Sequence, residues 1–273
     1  MVCIITGKPA ISINCFGTSL FMRVPLPPAT IKANFFILLV IVTAIKPGKN
    51  NLKKQVMENV MLFLKELAKN NNREWFQTNK KWYDESKGKI LFLTDVLINE
   101  IRKFDNTIPA LNPSDCLFRI FRDVRFSHDK SPYKTNFGSY IAKGGKKAVF
   151  AGYYIHIEPE ASFAGGGIYM PDNDTLKNIR NFIAENGDEF SSIINDPDFK
   201  AVYHEMFDDK LKTAPKGFAL DHEFIEVLKY KSFAFTHKLS DDEVLGENFI
   251  ENIVQSYRKL YKVNVFLNTA MQK

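Results

Sequence analysis

The chain has 273 residues, 45% hydrophobic and 25% charged, the composition of an ordinary globular protein. Its formal charge is +6, yet residues 1–57 hold seven Lys or Arg and no acidic residue, which leaves 30 basic against 31 acidic residues, net −1, in the remainder. The basic balance therefore does not argue for nucleic-acid binding by the rest of the chain, and a lone Cys116 beyond residue 57 excludes a disulfide framework or a CxxC metal site there, predicting a reduced, cytoplasmic setting.

Residues 1–56 lack a sustained period and carry Pro25, Pro27 and Pro28 ahead of an apolar run over 35–45. That run is about half of the ~20 residues a membrane-spanning helix needs. A signal-peptide core fits by length, but it sits late and Val42-Thr43-Ala44 is a poor small-x-small cleavage site. A loosely packed extension is a second reading, and upstream sequence added by a misplaced start codon a third. Met57, directly ahead of the first regular helix pattern, favours the third.

From there Val60, Phe63, Leu64 and Leu67 follow the i, i+3, i+4, i+7 spacing of an amphipathic helix. Asn70, Asn71 and Asn72 stop it. Asn72 is expected to cap a second helix, with Glu74 in its first turn and Trp75 and Phe76 as buried anchors. A longer helix over about 80–104 aligns Tyr83, Ile90, Leu93, Leu97, Ile101 and Phe104 near one face.

A loop over 106–113 leads into a β region, with strands expected over 117–121, 136–143, 150–158 and 162–170. The links at Gly144-Gly145 and Pro159-Glu160 are too short for parallel crossovers, so the strands should form an antiparallel meander. Asp174 is expected to cap a helix carrying Leu176, Ile179, Phe182 and Ile183, with a short helix over 190–194 after Gly187. A helix over 222–230, a strand over 232–238, a cap at Ser240 and a last amphipathic helix over about 246–269 follow. The expectation is one α+β domain over 57–273, its antiparallel meander sheet packed against N-terminal and C-terminal helices, with 1–56 outside it.

Chemistry concentrates at 119–147, where eight Lys or Arg (Arg119, Arg122, Arg125, Lys130, Lys134, Lys143, Lys146, Lys147) face only Asp123 and Asp129. Guanidinium forks suit bidentate capture of phosphate or carboxylate, and lysines add point charge. On an unbroken strand, alternation would put Arg119, Asp123 and Arg125 on one face and Arg122 on the other. Asp123 would then hold one arginine while a second stays open to a ligand. The competing reading is a structural ion-pair network at a sheet edge.

His156 and Glu158 share a strand face with Tyr154, so a histidine oriented by a carboxylate is a candidate general base. Two ligands are too few for a metal site, and none is expected. Gly165-Gly166-Gly167 opens no helix and is not GxGxxG; inside a strand it points to a bulge or to the close approach of a backbone or ligand.

At Arg119-x-x-Arg122-Asp123-x-Arg125-Phe126-x-x-Asp129-Lys130-x-x-Tyr133 the chain resembles the mainly bacterial domain-of-unknown-function family numbered twenty-four sixty-one. The resemblance extends to Phe63-Leu64-x-x-Leu67, Asn71-Asn72-Arg73-Glu74-Trp75-Phe76, Tyr154-x-His156-x-Glu158-Pro159 and the glycine triplet, and it covers roughly 57 to the C-terminus. It implies a name and no mechanism.

The leading expectation is a domain that binds a phosphorylated or otherwise anionic small molecule through Arg122, Arg125, Lys130 and Lys134, with Tyr133, His156, Glu158 and Gly166 at the site. His156, Glu158 and Asp123 are the catalytic candidates should turnover occur, and no cofactor is indicated. The alternatives are a nucleic-acid-binding module that stacks bases on Tyr133, Phe137 and Tyr140, or an interaction scaffold whose Arg/Asp network is structural.

Overall fold

In the computed structural model, which describes residues 50–272 apart from 148 and 205, the stripe Val60, Phe63, Leu64 and Leu67 is fully buried on helix α1, Asn50–Lys69. The expectations for residues 1–49 lie outside the described residues. Helix α1 starts ahead of Met57, because residues 50–56 contain no Pro or Gly to interrupt it. Asn72 caps α2, Arg73–Thr78, by accepting from the Trp75 amide at 2.9 Å, and Phe76 is its buried anchor. Helix α3 spans Lys80–Ile101, and a single turn, α4, Pro113–Cys116, closes the helical half.

Four strands follow: β1, Phe137–Ile141; β2, Gly152–Ile157; β3, Phe163–Ile168; and β4, Phe233–Lys238. They pair antiparallel in sequence order, β1-β2-β3-β4. Between β3 and β4 come α5, Asn173–Glu185, α6, Gly187–Ile194, α7, Pro197–Lys200, and α8, Ile225–Leu228; α9, Asp241–Leu245, and α10, Phe249–Thr269, end the chain. Asp172, not Asp174, caps α5 by accepting from Thr175, and Asp174 lies in the first turn. Ser240 and Glu243 form a reciprocal capping box at α9.

Alternation puts Phe137, Ser139, Ile141, Tyr153, Ile155, Ile157, Ala164, Phe233 and Phe235 on one sheet face, all buried. Helices α3 and α10 cover that face. Thr94 meets Ser139 at 2.8 Å, the Tyr257 hydroxyl donates to the Tyr154 carbonyl at 2.8 Å, and Asn264 donates to the Gly152 carbonyl at 3.1 Å. The opposite face carries Gly138, Tyr140, Tyr154, His156, Phe163, Gly165, Gly167, Ala234 and Thr236, and among the described residues no helix packs flat across it.

The expected strand over 117–121 is not a strand. Residues 117–135 form a ribbon at the β1 edge, joined by isolated bridges at Leu117↔Ser139 and Phe121↔Tyr133. It is held from below, where the Asn71 amide group donates to the Tyr133 carbonyl at 2.9 Å and accepts from the Tyr133 amide at 3.1 Å. Tyr133 stacks on Phe76 with ring centroids 4.0 Å apart.

Candidate functional site

The open sheet face is the floor of a cleft of about 1000 Å³. Its floor is bare because Gly138, Gly165, Gly167 and Ala234 present little or no side chain there. Larger residues do not fit: a Cβ on Gly165 would meet the Phe235 carbonyl, and Gly167 has a φ of +96° that favours glycine. The register across the triplet is unbroken, so no bulge forms. Gly166 points the other way; a Cβ there would meet Leu260 of α10, and only its backbone borders the cleft.

Gly138 lies opposite His156, and its missing side chain leaves room for the Tyr154 phenol to lean across β1. The Tyr154 hydroxyl thereby comes within 3.1 Å of His156 Nδ1, with Asn136 Nδ2 at 3.3 Å from the same nitrogen. His156 Nε2 is 2.9 Å from Glu158 Oε2, and the other Glu158 oxygen accepts from the Thr135 hydroxyl. The carboxylate can only accept, so the proton sits on Nε2 and Nδ1 accepts from Tyr154. Burial pushes His156 below its ordinary value, partly opposed by the hydrogen bond and charge of Glu158, and Lys134 lowers it further. Burial, with the Glu158 charge behind it, raises Tyr154 to about 12. At neutral pH the protons therefore stay on Tyr154 and on Nε2.

Three cations border the cleft with neither an ion-pair partner nor a side-chain hydrogen bond among the described residues: Arg119, on the exposed edge of the ribbon, Lys134, whose Nζ lies 5.7 Å from the Phe118 ring, and Lys238, at the end of β4. Burial first, and the Arg119 charge second, hold Lys134 below its ordinary value. Lys146 also borders the cleft, but its Nζ donates to the Ser114 carbonyl at 2.8 Å.

The residues expected to bind the anion divide. Lys134 borders both the cleft and an adjoining polar pocket of about 340 Å³ that holds Arg122 and the edge of the buried Tyr133. Arg122 is occupied, pairing with Asp129 and donating to the Ser131 carbonyl at 3.2 Å. Hydrogen bonds from Ser131, then Arg122, lower Asp129 to about 2. Arg125 makes a two-pronged pair with Asp123, at 2.9 and 2.7 Å, and borders neither space. Lys130 donates to the Val124 carbonyl and is likewise outside both. Asp123 thus serves Arg125, away from His156.

Phe137 and Tyr133 are buried and offer no stacking surface, whereas Tyr140 is half-buried at the cleft with its hydroxyl 2.8 Å from the Phe150 carbonyl. The exposed rings at the cleft are Phe118, Tyr169 and Phe207. Sequence reasoning did not single out Phe118 or Asn136, which reach the site only through the pairing of the ribbon with β1, where the Phe118 amide donates to the Gly138 carbonyl. Tyr154, by contrast, was legible from alternation. Among the described residues no cluster of three or more His, Cys, Asp or Glu could hold a metal ion, and no helix is long and apolar enough to cross a membrane.

A family model described as "Conserved hypothetical protein (DUF2461)" matches residues 59–266. No curated protein and no solved structure matches.

Proposed function

Because the chain belongs to the conserved hypothetical family DUF2461, a membership that brings no activity with it, we propose from the geometry alone that it binds an anionic organic molecule over the open sheet face. The observation that carries this reading is the pair Arg119 and Lys134, two neighbouring like charges at the cleft, neither in direct contact with a carboxylate among the described residues, although the Arg119 charge is felt at Asp123. An anion between them would relieve their repulsion, and the partly enclosed setting strengthens the attraction. The cleft volume lies at the upper end of the range for small-molecule sites. Turnover with His156 as base would require its Nδ1 to exchange the Tyr154 hydroxyl for a substrate proton.

Thermal denaturation of the full chain against a panel of phosphorylated and carboxylate metabolites tests this. A ligand-dependent rise in Tm that Arg119→Met removes is the expected result. If no anion raises the Tm, the reading fails.

A second reading, single-stranded nucleic acid, draws on the exposed rings of Phe118, Tyr169 and Phe207 around the cleft. Gel shifts with single-stranded RNA and DNA at low salt separate it; no shift there removes it.

A further inference from the structure

We propose that the ligand is a free nucleotide, its base over the glycine floor and its phosphate at Lys134, with the Arg122 pocket taking further phosphate or hydroxyl groups. This rests on the anion-binding reading above and specifies its ligand class.

Lys134 and Asn136 border both the large cleft and the small pocket, so the charge stands at a waist between two spaces and not at a dead end. A ligand held there extends in both directions. Inorganic phosphate would fill the waist and leave both sides open.

The two sides of the waist differ in character. Towards the sheet, His156 and Phe163 lie parallel, centroids 4.6 Å apart, with Tyr154 5.5 Å from Phe163. At the far end of β3 from Phe163 the rim exposes Tyr169 (58%), Met170 (68%) and Phe207 (43%). Exposed apolar groups gathered at a concave site mark a surface that a flat apolar body covers. Beyond the waist the small pocket is polar, bordered by Asn71, Arg122, Asp129, Ser131 and Thr135. A sugar phosphate has no flat face for the first side, and a nucleoside has no charge for the waist.

Among the described residues, Glu160 (φ 65°) and Met170 (φ 47°) are the non-glycine residues with positive φ, and both border the cleft, one at each end of β3. Strain held at both rims of one cleft is characteristic of ligand clamps. Strands are about 4.8 Å apart, so Phe163 on β3 stands roughly 10 Å from the β1 edge. That separation matches the reach from a base to its 5′-phosphate better than the size of a free anion.

Calorimetric titration of the full chain with nucleoside 5′-monophosphates and diphosphates, ribose 5-phosphate, inorganic phosphate, nucleosides and a single-stranded oligonucleotide tests the assignment. Nucleotides should bind about tenfold or more tighter than ribose 5-phosphate, reflecting base stacking. Thr236→Trp, an exposed edge-strand position on the cleft, should abolish that advantage while leaving ribose 5-phosphate binding intact, which also shows the variant is folded. Ala68→Phe, on the exposed side of α1 at the small pocket, should weaken diphosphates more than monophosphates. Equal binding of ribose 5-phosphate and nucleotides would overturn the nucleotide assignment and leave the anion reading standing. Nucleosides binding as tightly as nucleotides, or no binding by any anion, would overturn both. Tighter binding of the oligonucleotide than of any mononucleotide would replace the free nucleotide with a polymer.

Discussion

Lys134 and Arg119 share one cleft wall, and the Arg119 charge adds to burial in holding the Lys134 ammonium below its ordinary proton affinity. Replacing Arg119 with Met should therefore raise the Lys134 pKa, read from the titration of its Nζ-adjacent carbon by NMR. Since Arg119 is exposed and makes no ion pair among the described residues, the stability of the variant should stay within about 0.5 kcal/mol of the parent. A drop in the Lys134 pKa would contradict the proximity of the two charges.

Gly138 and Tyr154 depend on each other. A methyl at 138 would meet the Tyr154 hydroxyl, whose ring is held between Phe118 and Phe163. Gly138→Ala should cost roughly 1–3 kcal/mol by overpacking. Adding Tyr154→Phe should return more than half of it, because the atom in conflict is gone. Denaturant unfolding of the two single variants and the double variant measures the coupling.

His156 should titrate below 6.5, its ordinary value. Its folded pKa is depressed, so its contribution to stability is full above 6.5 and falls away as the pH drops through the folded value. His156→Gln should flatten the loss of stability with acid in that window. Lys134→Met should move the His156 titration up, and Glu158→Gln should move it down, each followed on the imidazole proton resonances.

Asn71 joins the first helical turn region to the ribbon by a paired amide contact with the Tyr133 backbone. Asn71→Ala leaves the half-buried Tyr133 peptide groups unpaired and should cost about 1–3 kcal/mol. It should also speed amide exchange at Lys134 and Arg122, whose amides donate to the Ile120 and Pro132 carbonyls across the ribbon.

Arg122 and Arg125 should separate cleanly. The Arg125–Asp123 pair is solvent-exposed, at 76% and 45%, so Arg125→Ala should change stability by less than about 0.5 kcal/mol. The Arg122 side chain is 26% exposed and ties Asp129 to the Ser131 carbonyl, so Arg122→Ala should cost more, about 1–2 kcal/mol, in chemical denaturation.

The amino-acid sequence by itself determined the strands after residue 136, the caps at Asn72 and Ser240, and the buried stripe of the first helix. Each is set by residues within a turn or a hairpin of one another, where propensity, capping and alternation act directly. It also placed Tyr154, His156 and Glu158 on one face, because a paired strand keeps period two. Which cation stays open was decided only by tertiary structure. Alternation assumes a pleated strand, and residues 117–126 are instead held by isolated bridges, by Asn71 through Tyr133, and by ion pairs within the ribbon. Side chains along such a ribbon leave in directions fixed by those distant contacts. Arg119 therefore enters the sheet cleft, Arg122 a separate pocket, and Arg125 the solvent, although three-residue spacing makes them look alike in the sequence.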